Sequence, residues 1–257
     1  SSVLRYAQGN RFNKEKVFYT GSAFRKSYNK KNILIKQIGM EIFSSKDENK
    51  DDREIIDTSI KVLKKTGFKK AKVEIGNFKL FELLIQKLSI PQRWKDRLIK
   101  FYWNKEYFSQ LLKRLDSNSD IDPFIVAGDH KTYLKMKKEN PKKMIAGRTY
   151  EEIIERYERK INDPRLTKTG KTSSKIIKEF LKIKCSLKDA PKKLNAFYKK
   201  YNLNISVAKE FFPISTPNQK DIKFKFSTSS GRGREVEFYS SFIFSIDVRI
   251  KGKTKTF

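Results

Sequence analysis

Apolar and polar positions alternate twice near the start of the chain, over residues 17 to 25 and again over 33 to 43, each time with a glycine inside the run. Period-two alternation predicts strands, and the polar, basic KSYNKKN between them predicts the turn of a hairpin. Gln37, Gly39 and Glu41 stand at i, i+2 and i+4, so the amide and the carboxylate share one face. Gly39 between them leaves room there, and such a face can hold a small ligand carrying an amino group. The same spacing describes a solvent-exposed strand face with no ligand.

After the charged connection KDENKDD, residues 46 to 52, the period changes. Ile55, Ile56, Ile60, Val62 and Leu63 gather on one helical face, opened by Asp52 and stopped at Gly67. AKVEIGN, residues 71 to 77, predicts a strand, and LFELLIQKLS a helix broken at Pro91. Residues 92 to 116 continue as helix, with Trp94, Leu98, Tyr102 and Phe108 available for packing. SNSDIDPFIVAGDH, 117 to 130, is turn-rich, and Thr149 with Glu152 forms a capping box for the helix that follows. NDPRLTKTGKTSS, 162 to 174, predicts a polar, mobile loop. Its GKT has neither the preceding Gly-x-x-x-x-Gly-Lys pattern nor a strand feeding it, which argues against a phosphate loop. Helices are expected at 174 to 184 and 188 to 201. Alternation returns over 221 to 250, with Gly231 and Gly233 marking a bend between strands. This order predicts an α+β fold on a mostly antiparallel sheet, interrupted by a helical insertion over about 90 to 205.

Composition narrows the possibilities. At 257 residues and 37% hydrophobic the chain can bury a full core, and no apolar run approaches the length of a membrane span. A single cysteine, Cys185, allows no internal disulfide and points to a reducing, cytoplasmic setting. The only histidine, His130, has no second His or Cys near it in sequence, so no metal site is expected. A net charge of +30 suggests nucleic acid at first. Yet 45 of the 59 basic residues are lysines, spread along the whole chain, and lysine is a solvated point charge without arginine's bidentate fork. A nucleic-acid partner is therefore disfavoured, and RNA binding is kept as an alternative.

FYTGSAFR followed by QIGMEIF resembles motif 2 of class II aminoacyl-tRNA synthetases of the histidyl type, and REVEFYSSFIFSI resembles that family's Arg-Gly-Leu-Asp-Tyr-Tyr-Thr-Gly signature and the strand after it. The resemblance extends over most of the chain and implies a class II synthetase-like α+β fold in one domain, residues 1 to 257, cut at both ends. Family motif 1 would then precede Ser1, and motif 3 would follow Phe257. Two functions compete within the family: charging of transfer RNA, and regulation of ATP phosphoribosyltransferase, the entry enzyme of histidine biosynthesis. The synthetase signature Phe-Arg-x-Glu is here Phe24-Arg25-Lys26-Ser27, without its glutamate. In the second motif Glu235, Glu237, Phe238 and Ser240-Ser241 depart from the pattern, while Arg234 and Tyr239 survive. Handling ATP needs charge stabilisation at the phosphates, whereas holding histidine needs an ammonium acceptor, a carboxylate partner and an imidazole slot. The resemblance assigns Gln37 and Glu41 to the ammonium, Arg234 to the carboxylate, and Tyr239 with Phe238 to the ring, with Arg25 a remnant of motif 2. It implies a non-catalytic regulatory subunit with no cofactor, histidine as effector, a short-form catalytic ATP phosphoribosyltransferase as partner, and a homodimer within a hetero-oligomer. Histidyl-tRNA synthetase is the alternative.

Overall fold

The computed structural model describes residues 6, 9, 16–24, 34–43, 46–117, 123–139, 144–161, 167–207, 212, 221–232, 241–250 and 253–256. The chain divides into two compact units, Ser1–Lys70 with Lys209–Asp221, and Ala71–Ala208 with Ile222–Phe257.

The first unit carries the predicted hairpin. Strands β1, Lys16–Phe24, and β2, Leu34–Ile42, pair antiparallel with Tyr19 opposite Gly39 and Gly21 opposite Gln37. Helix α1, Glu48–Lys65, begins before the expected Asp52. Asp47 is its cap, accepting a hydrogen bond from the Lys50 amide, and Glu48 and Asp51 lie in the first turn, where the positive end of the helix dipole favours them. The charged run is therefore the start of a helix and not a connection. Lys16 on β1 pairs with Glu54 on α1 at 2.5 Å, and Ile56 and Ile60 are buried.

The second unit is built on a five-stranded sheet. Its strands are β3, Ala71–Asn77, β4, Lys184–Ser186, β5, Ile222–Ser227, β6, Phe242–Ile250, and β7, Lys253–Thr256. They lie in the order β4-β5-β3-β6-β7, with β3 and β5 parallel and every other pair antiparallel. The mostly antiparallel sheet of the sequence reading is thus present. The expected bend is present at Gly231, in a turn between β5 and β6, although these two strands are not neighbours in the sheet. β5 and β6 flank β3, whose Val73 and Ile75 are fully buried between them.

Between β3 and β5 the described chain is mostly helical: α2, Phe78–Lys87; α3, Gln92–Lys100; α4, Lys105–Ser117; α5, Pro123–Glu139; α6, Tyr150–Ile161; α7, Thr167–Phe180; and α8, Ala190–Lys200. Three of these correct the sequence reading. The helix expected over 92 to 116 is two helices, because Asn104 caps the second of them by accepting from the Tyr107 amide. From Pro123 on, the segment expected as turn-rich is α5, with Pro123 at its first position, where proline's missing N–H is no loss. From Thr167 on, the segment expected as a polar loop is the start of α7, and its Gly170 is buried. A Cβ there would stand 2.2 Å from the Leu115 carbonyl oxygen, so this glycine permits contact between α7 and the backbone of α4. Lys184–Ser186, expected partly as helix, pairs with β5 as an edge strand. The capping box is as expected, with Glu152 N–H donating to Thr149 Oγ1 at 3.3 Å and Thr149 N–H to Glu152 Oε2 at 3.1 Å.

An aromatic cluster fills the core of this unit. Phe81 is fully buried, with the rings of Phe78, Tyr102, Phe108 and Phe180 centred 6.0, 4.4, 5.9 and 6.2 Å away. Two buried hydroxyls are satisfied by backbone: Tyr102 donates to the Thr228 carbonyl, and Tyr198 to that of Leu80 at 3.2 Å.

Candidate functional site

The hairpin places Gln37, Gly39 and Glu41 on one face of β2, opposite Gly21, Tyr19 and Val17 of β1. The room that Gly39 leaves is taken by the chain itself. A Cβ on Gly39 would come within 2.2 Å of Tyr19 Cζ, so the phenol ring lies over the glycine. Gln37 Nε2 donates to the Tyr19 hydroxyl at 2.8 Å, which fixes the amide and leaves its carbonyl oxygen as acceptor. Glu41 is half-buried and, among the described residues, has no hydrogen bond or ion pair. At about 3.4 Å per strand residue the Cα atoms of Gln37 and Glu41 stand about 14 Å apart. A ligand touching both must therefore span the Tyr19 ring or displace it. The opposite face of the hairpin carries the exposed apolar side chains Phe18, Leu34 and Ile38.

Arg25, Arg234, Phe238 and Tyr239 lie outside the described residues. Arg232, which the sequence reading passed over, is described. Its guanidinium carbon stands 5.0 Å from the Tyr102 ring centre and 4.5 Å from that of Phe108, and its Nε donates to the Tyr102 carbonyl at 2.8 Å. Burial lowers its pKa, and the neighbouring Tyr102 partly offsets this. A desolvated arginine held by two aromatic faces is oriented, in contrast to an exposed one. The sequence signal was the Gly231-Arg232-Gly233-Arg234 doublet, in which nothing distinguishes the two arginines until packing does.

Burial raises the Tyr102 hydroxyl well above the ordinary phenol range, against a smaller opposing effect of the Arg232 charge, and it raises Tyr198 in the same direction. An unfolded phenol ionises near pH 10. The stability that these neutral hydroxyls contribute is therefore complete below about pH 10 and is lost as pH rises towards the folded values, at roughly 1.4 kcal/mol per pH unit for each group. Urea melts of Tyr102→Phe above pH 10 should show a shallower alkaline loss of stability than the parent. Parallel curves would mean that Tyr102 ionises as readily folded as unfolded.

Among the described residues no group of three or more His, Cys, Asp or Glu could hold a metal ion. His130 is exposed on α5 with Tyr133 its ring neighbour at 6.4 Å. Cys185 sits on β4, and burial pushes its thiol pKa up, away from the thiolate a nucleophile needs. The GKT at 170 to 172 lies within α7 and forms no phosphate loop. Among the described residues no helix is long and apolar enough to cross a membrane.

Residues 2–160 match the family model described as Histidyl-tRNA synthetase, and the chain belongs to that family, whose class II synthetase-like fold is of the α+β kind found here. Within it, the chain is similar to ATP phosphoribosyltransferase regulatory subunits. That of Clostridium acetobutylicum is 38% identical over 110 residues, 41% of this chain and 26% of the relative. That of Allorhizobium ampelinum is 24% identical over 251 residues, 92% of this chain and 66% of the relative. The chain thus spans no more than about two thirds of the length of these relatives. A solved ATP phosphoribosyl transferase (HisG:HisZ) complex from Thermotoga maritima contains a chain 14% identical, aligned over 98% of this chain and 76% of that one with a TM-score of 0.42, a likeness too low to bear on function.

Proposed function

We propose that this chain is the synthetase-like core of a regulatory subunit of ATP phosphoribosyltransferase, which binds histidine and transmits its presence to a short-form catalytic partner without catalysing a reaction itself. One observation carries the reading: the chain has Ser27 where the synthetase motif has a glutamate, yet keeps an amide and a carboxylate on one face of β2, the carboxylate without a partner among the described residues. Losing the carboxylate removes a group from the nucleotide loop, while keeping Gln37 and Glu41 retains acceptors for an ammonium. The names of the relatives support the same choice.

Given the Tyr19 ring between them, Glu41 is the charged acceptor for the ammonium, and Gln37, held by Tyr19, offers its carbonyl oxygen further along the ligand. Arg234 would face the carboxylate, and Tyr239 with Phe238 the imidazole. On this reading the helices between about 90 and 205 are an insertion into a single synthetase-like domain, the assembly is a homodimer within a hetero-oligomer, and it works in the cytoplasm. Histidyl-tRNA synthetase is the second reading, favoured by the description of the family model.

Co-expression of the complete protein with a short-form phosphoribosyltransferase separates the two. A complex should co-purify, its phosphoribosyl transfer should fall as histidine is added, and histidine-dependent exchange between ATP and pyrophosphate should be absent. Exchange at a synthetase-like rate without a complex would overturn the regulatory reading.

A further inference from the structure

The lysines that look evenly spread in sequence are gathered in one place by the fold. On α7 and the turn after it, Lys171, Lys175, Lys178 and Lys182 line one groove of about 490 Å³, with Asp116 and Glu179 as its two carboxylates. Lys168 stands a turn ahead of them, exposed. Both acids are already engaged: Lys178 pairs with Asp116 at 2.6 Å, and Lys200 pairs with Glu179 at 2.7 Å. Among the described residues, no carboxylate lies within ion-pair distance of Lys171, Lys175 or Lys182. Like charges four apart on a helix, as at 171 and 175, oppose helix formation. The helix is nevertheless firmly seated. Gly170 lies against the Leu115 carbonyl, Ser174 Oγ donates to the Leu112 carbonyl at 3.4 Å, and Ile176, Ile177 and Phe180 are buried.

We propose that this row is a docking track for the phosphate backbone of a nucleic-acid duplex, bound without sequence preference. Three features select that partner. Between 171 and 178 the row extends about 10 Å along the helix axis, with Lys182 on the turn just beyond it, and a duplex presents one negative charge per roughly 1.7 Å of its own axis, so the row faces several phosphates at once. Among the described residues the groove lining holds no aromatic ring, which removes the stacking platform that single strands use. Among the described residues it also holds no arginine or apolar anchor, the groups that carry much of the binding energy at a protein interface, so an acidic protein would find charge but no hot spot. Lysine ammoniums contact phosphates as point charges and read no base edges.

The test measures fluorescence anisotropy of a random-sequence DNA duplex with the complete protein over a salt series. Lys171, Lys175 and Lys182 are changed together to glutamine, with Lys178 left in its ion pair. The charge-matched control changes Lys61, Lys65 and Lys69, exposed positions of the other unit. The row variant should lose about 2–3 from the slope of log affinity against log salt, close to 0.9 for each lost phosphate contact, and the control less than about 1. Lys175→Gln alone should lose about 1. Equal losses in the two triple variants would overturn the proposal by showing that the net charge acts diffusely. So would a row variant that binds duplex like the parent but no longer binds polyaspartate, since that would make the groove a site for acidic protein.

Discussion

Phe81→Ala should destabilise the second unit by about 3–5 kcal/mol, the range for removing a large ring from a fixed core. Whole domains are stable by only about 5–15 kcal/mol, so this single change brings the unit close to unfolding. The ring is fully buried on α2, and its walls come from separate segments: Tyr102 from the link between α3 and α4, Phe108 from α4, and Phe180 from α7. Those walls are tied down elsewhere. Tyr102 is hydrogen-bonded to the Thr228 carbonyl, and Thr228 Oγ1 donates to that of Phe180 at 2.5 Å. A cavity bounded by such fixed groups collapses little, which puts the cost at the upper end of the range. Urea denaturation should show a lower midpoint at an unchanged slope. A loss below about 1 kcal/mol would mean that the neighbouring rings close over the vacated space.

Glu41→Gln should weaken histidine binding by roughly 1.5–3 kcal/mol, the worth of a hydrogen bond to a charged group. That corresponds to about ten-fold to more than a hundred-fold in affinity. The substitution keeps size and shape and removes only charge. Because Glu41 has no hydrogen bond or ion pair among the described residues, the hairpin loses nothing with it and folding should hold. Feedback by histidine on the partner should weaken in the same proportion, since a ligand shifts an equilibrium only through its differential affinity for two states. The partner's uninhibited rate should stay. Calorimetry of histidine with the complete complex, parent beside variant, decides this: equal affinities would move the ammonium site off β2.

The hairpin was legible because its two strands are neighbours in sequence and their alternation has one interpretation. So was the box at Thr149 and Glu152, a purely local device. Segments whose polar residues serve helix ends were misread. Asp47 and Pro123 stand in segments read as connection and turn, Asn104 in one read as continuous helix, and each is found at the start of a helix. Gly170 reads as a breaker until the Leu115 carbonyl beside it becomes visible. The same holds within the candidate site. Spacing places Gln37 and Glu41 on one face, but only the register that sets Tyr19 opposite Gly39 reveals a ring between them. The two arginines of the Gly231–Arg234 run carry equal weight in sequence, and only packing sets Arg232 between aromatic faces.

The parallel pairing of β3 with β5 sets an order of events during synthesis. Ala71 meets Ile222 in the register, so β3 leaves the ribosome about 150 residues before the strand beside it, and β6 follows later still. At roughly 5–20 residues per second, β3 waits about 8–30 seconds with both edges open and Val73 and Ile75 uncovered. Open apolar edges are templates for pairing between chains. The helices made in the interval can already assemble around Phe81 and Phe108, since their contacts are nearer in sequence. The nascent second unit is therefore a helical body trailing an unpaired strand, and it depends on chaperones most acutely just before Ile222 and the strands after it emerge.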